Sequence, residues 1–221
     1  MKAPIDRAAA VRAALRRLVA RNGFHGASMS AVATEAGVAA GTAYVHYDSK
    51  DDLVLATYLE VKRELGAAAV ADLDRSSPAE ARFLHMWRRI HRHLAADPDR
   101  ARFLVQVNGS PYARAAHEMA MAADGDPMMA EATRSDMAWR LAPLPPDVLY
   151  DLGFGPAVRL AAQGKRVPAT MLDTLARACW RAITTPGAAR ARSPRRAETV
   201  RGRWPRGAPA TSRAPATRRD G

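Results

Sequence analysis

SMSAVATEAGVAAGTAYVHYDSKDDL, residues Ser28 to Leu53, decides the fold. Ser28 stands where an N-cap belongs, its hydroxyl able to accept from a free N–H of the first helical turn. Met29, Val32, Ala33 and Ala36 then recur at helical spacing and give a short helix its inner side. Gly37 follows as the residue that turns the chain through the left-handed region. Val38 plugs the core, and the residues from Ala39 to Tyr47 make a second short helix. Ser49 caps a third, with Asp52 completing a capping-box-like pair. Helix, glycine turn, helix is the arrangement whose second helix lies in the major groove of DNA.

The flanking sequence is helical as well. Val11, Leu15, Leu18 and Val19 form one apolar stripe, Val54, Tyr58, Val61 and Leu65 a second. Phe83, Trp87, Ile90 and Leu94 form a third, and Leu172, Leu175, Cys179 and Ile183 a fourth. Alternating β-branched runs are missing, so the expected class is all-α. A three-helix helix-turn-helix domain over residues 1–50 precedes a helical effector-binding and dimerisation domain over 51–185. Breaks are expected at Ser76–Pro78, Asp97–Pro98, Gly109–Pro111, Gly125–Pro127, Pro143–Pro146 and Val167–Pro168, and Pro156 should kink its helix. From Pro186 the composition turns to Pro, Gly, Ala and Arg, so residues 186–221 are expected to be a disordered basic tail.

The chain carries a net charge of +12 with a pI near 10.9, which suits a polyanionic partner. Ten arginines against Glu198 and Asp220 put +8 of that charge in the tail. With Cys179 as the single cysteine, no intrachain disulfide can form. The N-terminus has no apolar signal core, and no run of about 18 apolar residues exists to span a membrane. A cytoplasmic, nucleoid-associated protein without membrane contact is expected.

Residues 11 to 54 resemble the DNA-binding domain of TetR-family transcriptional repressors. The resemblance rests on Gly23-Phe24, Ser28, Val32-Ala33, Ala36-Gly37-Val38, Gly41-Thr42-Ala43-Tyr44, Tyr47 and Ser49-Lys50-Asp51-Asp52-Leu53. It implies a homodimeric repressor, double-stranded DNA with a palindromic operator as partner, and release by a small hydrophobic effector. It assigns the DNA contacts to Ser28, Ala40, Thr42, Tyr44, Val45, His46 and Lys50, with Tyr47 in an aromatic core slot. Lys50 also lies in a first helical turn, beside N–H groups that attract phosphate. Ala39 departs from the family pattern, which often has Ser there, and losing that cap costs about 0.5–2 kcal/mol of helix stability. Residues 40 to 46 hold no Arg or Asn for bidentate base reading, so thymine methyls, phosphates and DNA shape must carry specificity.

Other chemistries are poorly served. His117-Glu118-Met119-Ala120-Met121 begins like a zinc-protease motif, but Met121 stands where the second histidine is needed. His85, His91 and His93 lie among Arg88, Arg89 and Arg92, which suggests a solvated basic face rather than a metal site. Cys179 reads as an inert packed thiol. No phosphate loop or nucleophile elbow appears, so no enzyme, cofactor or metal is expected. Trp87, Phe103, Gln106, Tyr112, Met119, Met137, Trp139 and Tyr150, with Met121, Met128 and Met129, have the composition of an apolar ligand pocket. Leu149, Leu152, Leu172, Leu175, Cys179, Trp180 and Ile183 are the expected dimer seam. The alternatives are a ligand-independent regulator or activator of the same fold, an enzyme, and a membrane-surface protein.

Overall fold

The structure, a computed structural model, describes residues 6–123 and 125–185; the arginine-rich tail lies outside them. The first helix, α1 (Arg7–Asn22), starts where the Asp6 carboxylate accepts from the Ala9 N–H at 3.1 Å and buries Val11, Ala14, Leu15, Leu18 and Val19. Gly23, at φ 67°, turns the chain into a short 3-10 segment, Phe24–Gly26. Then come α2 (Met29–Ala36), α3 (Ala40–His46) and the long α4 (Lys50–Val70). Ser49 Oγ accepts from the Asp52 N–H at 3.0 Å and donates to its carboxylate at 2.7 Å, so Ser49 caps α4 as expected and Asp52 holds the capping hydroxyl.

The remainder runs α5 (Ala79–Ala96), α6 (Pro98–Asn108), α7 (Ala113–Ala122), α8 (Pro127–Ala132), α9 (Ser135–Ala138), α10 (Pro146–Gly153), α11 (Gly155–Ala162) and α12 (Ala169–Ile183). The all-α expectation is met: among the described residues the sole β feature is an isolated bridge between Leu141 and Thr184. Helix α1 packs on α6 as well as α2, and α4 runs from the N-terminal helices onto α5. Phe83, Trp87, Ile90 and Leu94 of α5 are buried against α4, α11 and α12. Pro156 does more than kink its helix. The chain breaks at Phe154, whose ring stacks on Phe83 with centroids 4.9 Å apart.

The basic face expected around Arg88, Arg89 and Arg92 of α5 is only partly solvated: Arg92 is exposed, Arg88 and Arg89 are half-buried and His91 is buried. Arg82 is 2% exposed, because α8 and α9 fold over it. Its guanidinium donates to Glu131 at 2.5 Å, to Asp136 at 2.7 Å and to the Ser77 carbonyl. Burial alone would raise the Asp136 pKa, but its bond to Arg82 holds it below the usual carboxylate range. His91 is buried too, parallel to Trp87 at 6.0 Å, and desolvation pushes its pKa down. Arg88 spends its charge on Asp173 of α12 at 2.7 Å. No helix among the described residues is long and apolar enough to cross a membrane.

Candidate nucleic-acid interface

Three small devices hold α3 in place. Ser28 Oγ accepts from the Ala31 N–H at 3.1 Å and so fixes where α2 begins. Gly37, at φ 68°, closes α2 by donating to Thr34, and Val38 donates to Ala33, so α3 leaves at a set angle. Beneath α3, Ala43 is fully buried and Tyr47 ties the helix end down: Arg12 of α1 donates to its hydroxyl at 2.6 Å and to Glu60 of α4 at 2.8 Å. Glu35 adds a brace, accepting from Arg17 at 2.8 Å and Arg21 at 2.9 Å, and these bonds hold its carboxyl below the usual range.

The opposite face of α3 is bare. Ala40, Gly41, Tyr44, Val45 and His46 are exposed, Val45 to 80%, and Thr42 is half-buried. Ala39 makes no side-chain cap, as its identity implied. Of the other two expected DNA contacts, Ser28 is occupied as a cap. Lys50 is half-buried and donates to the Phe24 carbonyl at 2.5 Å, so it fastens the 3-10 turn to the start of α4.

Sequence reasoning missed one connection. Tyr112, at the start of α7, donates to Asp51 in the first turn of α4 at 2.7 Å, and its ring lies 4.9 Å from Phe24. Burial, then the bond to Asp51, pushes its pKa up to about 12. Sixty-one residues separate the partners, and no local pattern announces them.

The residues expected to form a pocket do not converge. Trp87 and Phe103 are fully buried core, and Met137 is buried as well. Gln106, Met119 and Trp139 are exposed, Trp139 with Arg140 stacked at 4.6 Å. Tyr112 belongs to the contact with Asp51, and Tyr150 lies under the Lys62 ammonium at 4.1 Å. Trp87 and Phe103 fill the interior of the bundle, while Trp139 lies on its surface and Tyr112 and Tyr150 are half-buried. Surface clefts among the described residues have other linings. One, of about 310 Å³, lies between α7 and α8 and is lined by Ala120, Met121, Met129, Ala130 and Asp126. Another, of about 330 Å³, is lined by His91, Ala95, Ala161, Lys165 and Arg166.

The expected seam divides in the same way. Cys179, Trp180 and Ile183 are buried inside their own chain, Trp180 5.3 Å from Phe83 and Ile183 against Gly153, so they cannot face a partner. Leu149, Leu172 and Leu175 are half-buried and Leu152 exposed, joined on α10 and α12 by exposed Val148 and Met171.

Known proteins share this build. Residues 11–57 match the model of bacterial regulatory proteins of the tetR family, and residues 78–184 match a tetracyclin repressor-like C-terminal domain. The chain belongs to the TetR family of transcriptional regulators. An HTH-type transcriptional regulator of Haemophilus influenzae is 28% identical over 186 residues, 82% of this chain and 98% of that one. The crystal structure of a TetR-family regulator from H. influenzae superposes with a TM-score of 0.68 at 28% identity, covering 84% of this chain and all of the other. The HTH-type regulator BetI of Agrobacterium fabrum is 43% identical over 77 residues, 34% of this chain and 35% of its own. A regulator from Shewanella sp. PV-4 has the same fold at TM-score 0.69 and 23% identity, covering 81% and 98% of the two chains.

Proposed function

We propose that the regulator acts as a homodimeric repressor that binds a palindromic operator through α3 and leaves it when a small apolar molecule binds. The observation that carries this reading is the contrast across α3: anchored beneath by Ala43 and Tyr47, bare above at Ala40, Gly41, Tyr44, Val45 and His46. A helix held firmly with an unpartnered outer face suits a major groove. Tyr44 and His46, exposed on α3, would meet the phosphates that flank that groove, whereas Lys50 keeps its ammonium on the Phe24 carbonyl. Val148, Leu149, Leu152, Met171, Leu172 and Leu175 supply an apolar seam for the second copy.

The effector reading moves to the cleft between α7 and α8, where Met121 and Met129 offer adaptable apolar surface. From there α7 reaches the DNA-binding end through Tyr112, which contacts both Asp51 and Phe24. A ligand that binds one placement of α7 better than another would shift the two reading heads. Selection of bound fragments from genomic DNA, followed by footprinting, tests the assignment. Two protected half-sites should lie about 34–36 Å apart or at a multiple of that spacing. Failure to select any fragment, or a monomer at micromolar concentration in the ultracentrifuge, overturns it. An apolar effector at 100 times its dissociation constant should add about 2.7 kcal/mol of stability and release the DNA.

A further inference from the structure

Resting on the DNA-binding reading above, we infer that α3 reads its operator by apolar contact with thymine methyl groups, with Val45 as the reader and Gly41 as the gap that admits the base edge. Among the described residues Val45 is the most exposed of the large hydrophobic side chains, at 80% against 39% for Val105. Its branched side chain is stiff in a helix, so its two methyls are presented with little freedom to lose. Ala40, Gly41, Tyr44 and Val45 fall at i, i+1, i+4 and i+5, on one face. Of these only Tyr44 carries a polar side-chain atom.

Gly41 is the second observation, and an independent one. A Cβ built there meets nothing within 4 Å, and its φ lies outside the left-handed range, so neither packing nor backbone requires a glycine. Alanine would serve the helix better. The missing methyl makes sense if something outside the chain comes close at that point. Among the groups displayed in a major groove, the C5 methyl of thymine is the one with no hydrogen-bond demand. A face whose only polar side-chain atom is the Tyr44 hydroxyl selects for it at Val45, and offers the polar edges of G·C pairs few partners.

The experiment uses the full chain and a genomic fragment that it has selected. Each thymine of a half-site is replaced singly by deoxyuridine, which removes the methyl and keeps the base pairing. One or two positions should weaken binding about fourfold, the worth of one buried methyl. Val45→Ala should bind the thymine and deoxyuridine probes equally at those positions. Gly41→Ala should lower affinity while its melting temperature stays level or rises, a combination that a structural glycine would not give. Wild-type protein that treats every deoxyuridine probe as it treats thymine overturns the inference, as does Val45→Ala that keeps the discrimination. Either result leaves the DNA-binding reading standing, because the fragment is still bound. Failure to select a fragment at all sinks both.

Discussion

Helices α3 and α5 spend their residues in opposite ways. The first has seven residues, a single fully buried side chain and a valine standing in solvent. The second has eighteen and buries nine of them, including an arginine and a histidine. Apolar surface left out and polar groups taken in are both costly, and the two helices differ in who compensates. For α5 the compensation is internal at Arg82, which Glu131 and Asp136 meet, while His91 packs its ring on Trp87 and leaves its Nε2 unpaired. For α3 nothing among the described residues does it. On the proposed reading stability resides in α5 and recognition in α3, and substitutions should separate them.

The largest expected effect is on α5. Arg82→Ala leaves the buried Glu131 carboxylate without its closest partner and should cost about 3–5 kcal/mol in urea unfolding. Replacing both, Arg82→Met with Glu131→Leu, should recover most of the loss, since an apolar pair needs no compensation. A mild effect from the single change would break the contrast between the helices. Ser28→Ala, which removes the cap on α2, should cost about 1 kcal/mol, read from the midpoint of the same titration.

Protonation gives a smaller effect with a definite sign. His91 is kept neutral by burial, so its folded pKa lies below its unfolded value, near 6.5. The unfolded chain then binds the extra proton. Stability should be complete above about pH 6.5 and drain as pH falls below it, by less than about 1.4 kcal/mol per pH unit for one group. His93, lowered by its own burial and by Arg100, adds to the same window. The carboxylates of Glu35 and Asp136, also lowered, lose their contribution only at more acid pH, through the ordinary carboxylate range and below. His91→Phe, which keeps an aromatic ring against Trp87, should flatten the slope between pH 7 and 5. The smallest effect belongs to α3: Tyr44→Ala should change unfolding free energy by no more than about 0.5 kcal/mol while weakening operator binding in gel shifts.

Legibility in the sequence followed the same divide. Ser28, Gly37, Ser49 and the stripe from Val11 to Val19 act through neighbours three or four residues away, so local chemistry exposes them. The missing cap at Ala39 could be read off directly, and α3 to within one residue at each end, Ala40–His46 against Ala39 to Tyr47. Contacts at a distance could not. Arg82 lies 49 residues from Glu131, and as one of several basic residues on α5 it carries no mark of burial. Likewise Trp87, Met137 and Trp139 are one composition but three environments: sealed core, buried edge and open surface. On α12 the period of the apolar residues was right, yet periodicity does not tell an inward face from a partner-facing one. Hence Cys179, Trp180 and Ile183 turned in and Met171 turned out.

That inward turn makes the chain's lone cysteine a built-in clock. Cys179 is 6% exposed, and burial raises its thiol pKa, so the nucleophilic thiolate is scarce as well as hidden. An alkylating reagent can reach it only when α12 lifts from α5, and the modification rate counts those openings. Since the shelter comes from the same protomer, the rate should not change as the protein is diluted. A seam between copies would expose Leu152 and Met171 on dilution and leave the sulfur untouched.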